Sequence, residues 1–164
     1  MRHWMLALAL GAAVGGGAAP AGAQALAAEV RLDAGVPVDD SDIDYDTGVG
    51  FGVRASLALA PSFAVYGGWS RFEFDEEDVL GDGEDEFDSF ELGGRLDLAG
   101  HGSSTSPYFI LGAVFQAEDD TGIEAGIGAE HAVSWNLSVT PEVRYRQTFV
   151  VNYLALGMGA RFRF

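Results

Sequence analysis

The chain has 164 residues, with 25 acidic residues against nine basic ones, no cysteine and a formal charge of −16. This acidity argues against nucleic acid as a partner, because phosphate binding requires a basic surface. The lack of cysteine excludes a disulfide framework and a thiolate metal site.

The first 23 residues have the pattern of a secretory signal peptide. Arg2 and His3 form a basic start, an apolar run follows over 4–14, and Ala21, Gly22 and Ala23 form a small-residue cleavage site. We therefore expect a signal peptide over 1–23 and one mature domain over 24–164. No other run approaches the ~20 apolar residues that a membrane-spanning helix needs.

The mature chain alternates apolar and polar residues with a period of two, which indicates β-strands. Eight strands are predicted, over residues 28–36, 48–59, 63–72, 87–98, 108–117, 122–133, 137–146 and 154–164. The third loses its alternation near Trp69 and Arg71, where we expect a bulge or a strand end. The seventh contains Pro141, which a bulge would accommodate. The fifth is apolar on both faces, so its outward face stays undetermined.

The eighth segment divides its side chains most clearly. One face is apolar, and the other carries glycine, arginine and Ala155. The apolar face contains Leu154, Leu156, Met158, Ala160, Phe162 and Phe164. A strand with lipid on one side and a polar lumen on the other requires this division.

This closing strand resembles the C-terminal insertion signal of bacterial outer-membrane β-barrels, whose last residue is often Phe. Together with segment 122–145, which precedes it, the closing strand resembles the last two hairpins of the OmpA-like, opacity-protein type of barrel domain. The resemblance implies an integral protein of the Gram-negative outer membrane. Its implied partners are outer-membrane lipid, lipopolysaccharide and the barrel-assembly machinery, which would contact the C-terminal strand. Such barrels include passive structural proteins and adhesins, so the resemblance implies location before function.

The strand lengths and number agree with this family. A tilted strand needs ~9–11 residues to cross a bilayer, and eight is the smallest common strand number for such barrels. We predict an all-β fold, an eight-stranded antiparallel up-and-down transmembrane β-barrel, apolar outside and polar inside.

The acidic residues are concentrated in alternate connections between the strands. The first, third and fifth connections contain 17 of the 25 acids, nine of them within 75–88, whereas the second, fourth and sixth contain none. Odd and even connections emerge at opposite ends of an up-and-down barrel. We therefore expect acidic extracellular loops, which could contact a surface ligand, and short neutral periplasmic turns.

The inward faces of the predicted strands carry equal numbers of acids and arginines. Seven acids and seven arginines form this predicted lumen charge network: Glu29, Arg31, Asp33, Arg54, Glu91, Arg95, Asp97, Glu124, Glu130, Glu142, Arg144, Arg146, Arg161 and Arg163. An eight-stranded barrel has room inside only for side chains, and buried charges must be paired. We predict a lumen plugged by Arg–carboxylate pairs and a structural or surface-interaction role. The alternative is a small porin-like channel.

Two other functions have sequence requirements of their own. A soluble lipocalin-like ligand binder would have the inverse pattern, apolar inside and charged outside. A lipid A-modifying enzyme would need a nucleophile, a base and an acid together. Of the candidates His131, Ser134 and Glu142, Ser134 belongs to a predicted periplasmic turn, whereas Glu142 lies well up the next strand. No enzyme activity and no catalytic residue is predicted.

The acidic loops raise the question of metal binding. Asp40, Asp42, Asp44 and Asp46 alternate like the start of a calcium loop, but Tyr45 and Phe51 occupy the positions that require Gly and Glu. No metal site and no cofactor is predicted. Weak divalent-cation binding by the first loop and by the acids of 82–86 stays open.

Aromatic residues lie mostly near predicted strand ends, where rings favour the membrane interface. This interfacial set contains Trp69, Tyr108, Trp135, Tyr145, Tyr153, Phe162 and Phe164.

Overall fold

The computed structural model describes residues 26–38, 47–76, 83–98, 104–116, 121–148 and 152–164. They form eight strands: β1 (Leu26–Pro37), β2 (Gly48–Ala60), β3 (Phe63–Glu76), β4 (Gly83–Asp97), β5 (Thr105–Gln116), β6 (Thr121–Ala132), β7 (Leu137–Gln147) and β8 (Asn152–Arg163). The predicted signal peptide, most of the first acidic loop and the fifth connection lie outside the described residues. No α-helix among the described residues has the length and apolarity needed to span a membrane.

The strands form one closed antiparallel barrel in sequence order, so the predicted fold class is confirmed. β1 closes the barrel by pairing with β8 from Ala27 opposite Arg163 to Pro37 opposite Tyr153. Closure leaves no unpaired sheet edge, which a bilayer would not tolerate. We call the end where β1 passes to β2 and β3 to β4 the upper end. The opposite end, where β6 passes to β7, is the lower end.

The hairpin of β3 and β4 extends beyond its predicted ends. β3 continues past Phe72 to Glu76 and β4 begins at Gly83, so six of the nine acids within 75–88 lie on strands. The β3–β4 register is unbroken from Phe63 to Glu76. The bulge or strand end expected near Trp69 and Arg71 was therefore wrong.

The physical reason is a reversal of polarity along β3. Its lower part alternates as a membrane strand does, with Tyr66 inside. In its upper part Phe72 and Phe74 are buried inside, whereas Arg71 and Glu73 point outward. The strand alternates throughout, but an outward face above the hydrocarbon no longer needs to be apolar. In the sequence, this reversal of polarity has the same pattern as a loss of alternation.

Pro141 also lies in a continuous strand, so the bulge expected there was wrong. β7 keeps one register with β8 from Leu137 to Gln147, with Pro141 opposite Met158. On the β6 side, the same register holds on both sides of a short gap in pairing. Proline removes one N–H and its hydrogen bond, but it inserts no additional residue, so the register does not shift.

The outer surface is apolar around the barrel. Exposed large apolar side chains occur on every strand, and the most exposed strand residues include Leu32 at 70% and Leu111 at 67%. β5, whose outward face was undetermined, points Phe109, Leu111 and Phe115 outward. The interior contains the buried charges, which is the inverse of a soluble lipocalin-type barrel.

Candidate functional site in the barrel interior

The structure places the predicted lumen residues on the inward faces of six strands. Twelve of the fourteen are buried; the side chain of Asp97 is 23% exposed and that of Arg163 is 44% exposed. These two lie near the lower ends of their strands. The buried charges form two ion-pair clusters, which share Glu29, and an aromatic cluster covers their upper side.

The central cluster is organised around Glu142 on β7. Arg31 Nη1 donates to Glu142 Oε1 at 2.7 Å, and Arg54 Nη1 donates to Oε2 at 3.3 Å. The hydroxyl of Tyr108 also donates to Oε2, at 2.8 Å. Arg144 Nε lies 3.1 Å from Oε1. Three guanidinium groups and one phenol therefore compensate a single buried carboxylate.

Arg144 links this carboxylate to three others. Its Nη2 donates to Asp33 at 2.8 Å, and its Nη1 lies 3.2 Å from Glu91 and 3.4 Å from Glu124. Arg31 binds the same Asp33 from its own strand, at 2.9 Å. Because each carboxylate contacts more than one guanidinium, the cluster is a network and not a set of separate pairs.

Glu91 and Arg146 form the upper part of the central cluster. Arg146 Nη2 donates to Glu91, and its Nε donates to Glu124 at 3.2 Å. The remaining donors of Arg146 reach Ser70 Oγ at 2.9 Å and the hydroxyl of Tyr153 at 3.2 Å. Arg146 is fully buried, and these contacts place its charge among acceptors from four strands.

The lower cluster is organised around Glu130 on β6. Arg95 and Arg163 donate to its two carboxylate oxygens, and Arg161 Nε lies 3.7 Å away. Arg95 also donates to Asp97 at 2.6 Å. Arg161 lies 3.8 Å from Glu29, whose other oxygen contacts Arg31 at 3.4 Å. Glu29 thereby connects the two clusters.

Two tyrosines that were not predicted inside complete the network. Tyr66 donates to Glu124 at 2.6 Å, and the guanidinium of Arg54 lies 4.5 Å from its ring centroid. Arg95 lies 3.8 Å from the ring centroid of Tyr108. A tyrosine satisfies a carboxylate with its hydroxyl and a guanidinium with its ring face. Tyr108 had been predicted at the membrane interface, and that prediction was wrong.

Glycines make room for these rings. A β-carbon at Gly112 would lie 2.7 Å from the Tyr66 hydroxyl, and one at Gly50 would lie 2.7 Å from the ring of Phe72. This pairing of an inward glycine with an inward ring on a nearby strand is the signal in the sequence that could have identified Tyr66.

An aromatic cluster covers the upper side of the charges. Phe72 and Phe74 are stacked 5.9 Å apart, and Tyr153 lies 5.0 Å and 5.3 Å from them. Phe87 packs at its edge, 6.0 Å from Phe74. We call Phe72, Phe74, Phe87, Tyr153 and Ala155 the aromatic lid. Tyr153 had been predicted at the membrane interface, and that prediction was also wrong.

Outside the barrel, Arg71 forms a bidentate ion pair at the upper part of the hairpin. Its Nε and Nη2 each donate to Asp88 at 2.9 Å, and Glu86 lies 3.2 Å away. This hydrogen bonding raises the pKa of Arg71. The pair is solvated, so it contributes little to stability.

The three residues considered for a lipid A-modifying enzyme do not lie together in the structure. His131 points outward and contacts Thr105 at 2.8 Å, and Ser134 donates to Asn136 in the β6–β7 turn. Glu142 points inward, into the ion-pair network. Within the described ranges, no group of three His or acidic side chains is arranged to hold a metal ion. Most of the acidic residues considered for divalent-cation binding lie outside these ranges.

The residues of the predicted insertion signal face outward on β8 and at the chain end. Leu154, Leu156, Met158, Phe162 and Phe164 are all exposed. Among the predicted interfacial aromatics, Trp135 in the lower turn is 87% exposed, and Tyr145 also points outward. These side chains lie where lipid would contact a barrel wall and its rim.

Comparison with known proteins gives the fold but no sequence family. No family model matches the chain, and no curated protein matches it. Among solved structures, the N-terminal β-barrel domain of Pseudomonas aeruginosa OprF is 12% identical with a TM-score of 0.63, over 86% of this chain and 98% of that chain. Yersinia pestis Ail, the attachment invasion locus protein, is 18% identical with a TM-score of 0.62, over 86% and 99%. Neisserial surface protein A is 15% identical with a TM-score of 0.62, over 85% and 96%.

All three neighbours are outer-membrane proteins or domains of them, which is consistent with the apolar outer surface of this barrel. Their barrels have the architecture that the sequence resemblance implied, so the resemblance is confirmed at the level of the fold. The chain therefore has the closed eight-stranded fold of these outer-membrane β-barrel proteins, and its apolar outer surface is that of a barrel embedded in lipid.

Proposed function

We propose that the protein is a structural or surface-interaction barrel whose lumen is plugged and does not conduct ions. The observation that supports this most directly is the fully buried network around Glu142, in which Arg31, Arg54 and Arg144 converge on one carboxylate. A permeating ion would have to displace contacts whose loss leaves buried charges uncompensated. The aromatic lid adds an apolar layer above them.

Single-channel recording in planar bilayers tests the plug. We expect no stable conductance steps from the purified, folded protein, because the side chains fill the interior. A wide outer-membrane porin of known conductance, reconstituted in the same way, is the positive control. Regular conductance steps that scale with salt concentration would support the alternative, a small ion-conducting channel.

We infer a non-enzymatic role because the carboxylates that the hydroxyls of the described interior contact are already paired with arginine. Ser70 and Thr140 are buried, but their hydroxyls donate to Glu91 and Glu29, each of which also binds arginine. A lipid A mass profile unchanged by overexpression would agree with this proposal.

For the surface role, we propose that the upper end, with its acidic connections, faces the outside of the cell. The β3–β4 hairpin supports it, because Arg71, Glu73 and Glu86 point away from the barrel above the apolar belt. Ail was crystallised in complex with the heparin analogue sucrose octasulfate. A chain with a formal charge of −16 and acidic loops would repel such a polyanion, so we do not extend that ligand to it.

Protease treatment of intact cells tests this orientation. A glutamyl endopeptidase should cut between β3 and β4, where acidic residues are dense, and leave two fragments that remain in the outer membrane. Cells whose outer membrane has been permeabilised are the control for access to the lower end. Cleavage that requires permeabilisation would show that the acidic end faces the periplasm.

We further propose that the C-terminal strand is the segment that the barrel-assembly machinery contacts. Its apolar face, from Leu154 to Phe164, alternates with small residues and arginine and ends at the lower rim. β8 also pairs with β1 to close the barrel, so its insertion and barrel closure are linked.

A further inference from the structure

The wall between β6 and β7 contains an interruption in its hydrogen bonding. Strand pairs are formed at Gly128 opposite Glu142 and at His131 opposite Val139, but the two pairs between them are missing. Val133 N–H donates to the Leu137 carbonyl at 2.9 Å, which fixes the alternation of bonded pairs along this seam. Bonded pairs recur at every second residue along each strand. After the pair of His131 and Val139, the next bonded pair would therefore contain Ala129 and Pro141.

The missing donor is the N–H that proline lacks. At this position the N–H of residue 141 would donate to the carbonyl of Ala129, so that carbonyl has no ladder partner on β7. Pro141 points outward on the wall. A carbonyl without a partner at this depth costs free energy, because hydrocarbon offers no hydrogen bond.

An apolar groove lies on the outer wall beside this carbonyl. Its volume is about 440 Å³, and its lining includes Pro107, Phe109, Ile127, Ala129, Pro141 and Val143. Ala129 lies between two prolines, because Pro107 is its partner on β5 and Pro141 lies opposite it in the β7 register. The groove is open towards the side that faces lipid.

The position of the groove relative to the membrane interface indicates which kind of ligand it can bind. Ala129 lies three residues from the lower end of β6, roughly 10 Å along the tilted strand at about 3.3 Å per residue. The adjoining turn carries Trp135, an interfacial residue by its exposure. The carbonyl therefore lies at the edge of the hydrocarbon, within reach of the head group of a lipid whose acyl chain occupies the groove.

We propose that this groove binds a phospholipid whose head group carries N–H donors. The acyl chain lies along Phe109 and Ile127, and the head-group ammonium donates to the Ala129 carbonyl. Phosphatidylethanolamine has these donors, whereas phosphatidylcholine has none. The ligand class follows from one unsatisfied acceptor at the edge of one apolar groove.

Native mass spectrometry of the folded wild-type barrel tests the proposal. The protein is mixed with equal amounts of phosphatidylethanolamine and phosphatidylcholine with identical acyl chains. We expect about threefold to tenfold more retained phosphatidylethanolamine, the range of one net hydrogen bond. A series of head groups with one, two and three N-methyl groups should lose this preference only when the last N–H is removed.

Two proline variants locate the site. Pro141→Ala supplies the missing N–H to Ala129 and should abolish the preference. Pro107→Ala is the matched control on the other side of the groove. The new N–H of residue 107 faces β4, where Leu98 already donates to the carbonyl of the same residue, so it does not reach Ala129. The Pro107→Ala variant should therefore retain the preference for phosphatidylethanolamine. Equal retention of the two lipids by the wild type would overturn the proposal. So would a preference unchanged in folded Pro141→Ala, or a dimer that occupies the groove in place of lipid.

Discussion

Glu142→Gln is expected to lower the free energy of unfolding by about 3–5 kcal/mol, the range for breaking a buried ion pair on one side. The carboxylate accepts from Arg31, Arg54 and Tyr108, and Arg144 lies beside it. An amide keeps the volume of the side chain but removes the charge that compensates three guanidinium groups. The variant therefore leaves positive charge buried with too few acceptors.

Urea unfolding in detergent micelles, followed by tryptophan fluorescence and by heat-modifiable gel migration, measures this change. Glu86→Gln is the matched control, because Glu86 contacts Arg71 at 3.2 Å with its side chain 57% exposed. The control should leave the unfolding midpoint unchanged. A second variant, Arg54→Gln with Glu142→Gln, should lose less stability than the two single changes added together. A Glu142→Gln barrel as stable as the wild type would contradict the view that the network supports the fold.

The charged interior could be predicted because lipid imposes a strict rule on one face of each strand. A charge on the outer face costs free energy in hydrocarbon, so every acid and arginine within the membrane-spanning part must point inward. Parity alone then assigns Glu124, Arg144 and Arg146 to the lumen, and the structure buries all three. The same rule gives no pairing partners, since these depend on strand tilt and on which side chains meet across the barrel.

The aromatic residues followed no such rule. Tyr108 and Tyr153 are buried inside, whereas Tyr145 points outward, although all three lie towards strand ends. A ring is stable against lipid, at the interface or inside beside a guanidinium. The position of such a residue is decided by its neighbours. Tyr66, for example, has space because residues 93 and 112 are glycine.

The upper hairpin and Pro141 show the limits of a pattern that assumes one environment along a whole strand. β3 rises beyond the hydrocarbon, so its outward face changes from Trp69 to Arg71 and Glu73 without any change in backbone geometry. At Pro141 the backbone keeps its register and loses a single hydrogen bond. In both places a change in polarity or chemistry was mistaken for a change in geometry.

Leu111→Arg is expected to destabilise the folded barrel in a bilayer by about 2–4 kcal/mol, the range for a lipid-facing arginine near the midplane. Leu111 lies near the middle of β5 with 67% of its surface exposed, and its cross-strand partner on β6 is the small residue Ala125. At the surface of a soluble barrel the same change would leave the free energy of unfolding nearly unchanged, because a leucine exposed to water contributes little to stability.

Val133→Arg provides the comparison that makes this measurement specific for membrane depth. Val133 is nearly as exposed, at 59%, but lies just beyond the lower end of β6, where lipid head groups and water surround the wall. Its replacement should cost about 0–1 kcal/mol. Reversible unfolding by guanidinium from phospholipid vesicles gives both values. Equal losses for the two variants, or no loss for either, would contradict the assignment of the leucine and valine face to hydrocarbon. A large loss for Leu111→Arg alone would show that stability depends on depth in a bilayer, and not simply on the exposed apolar area.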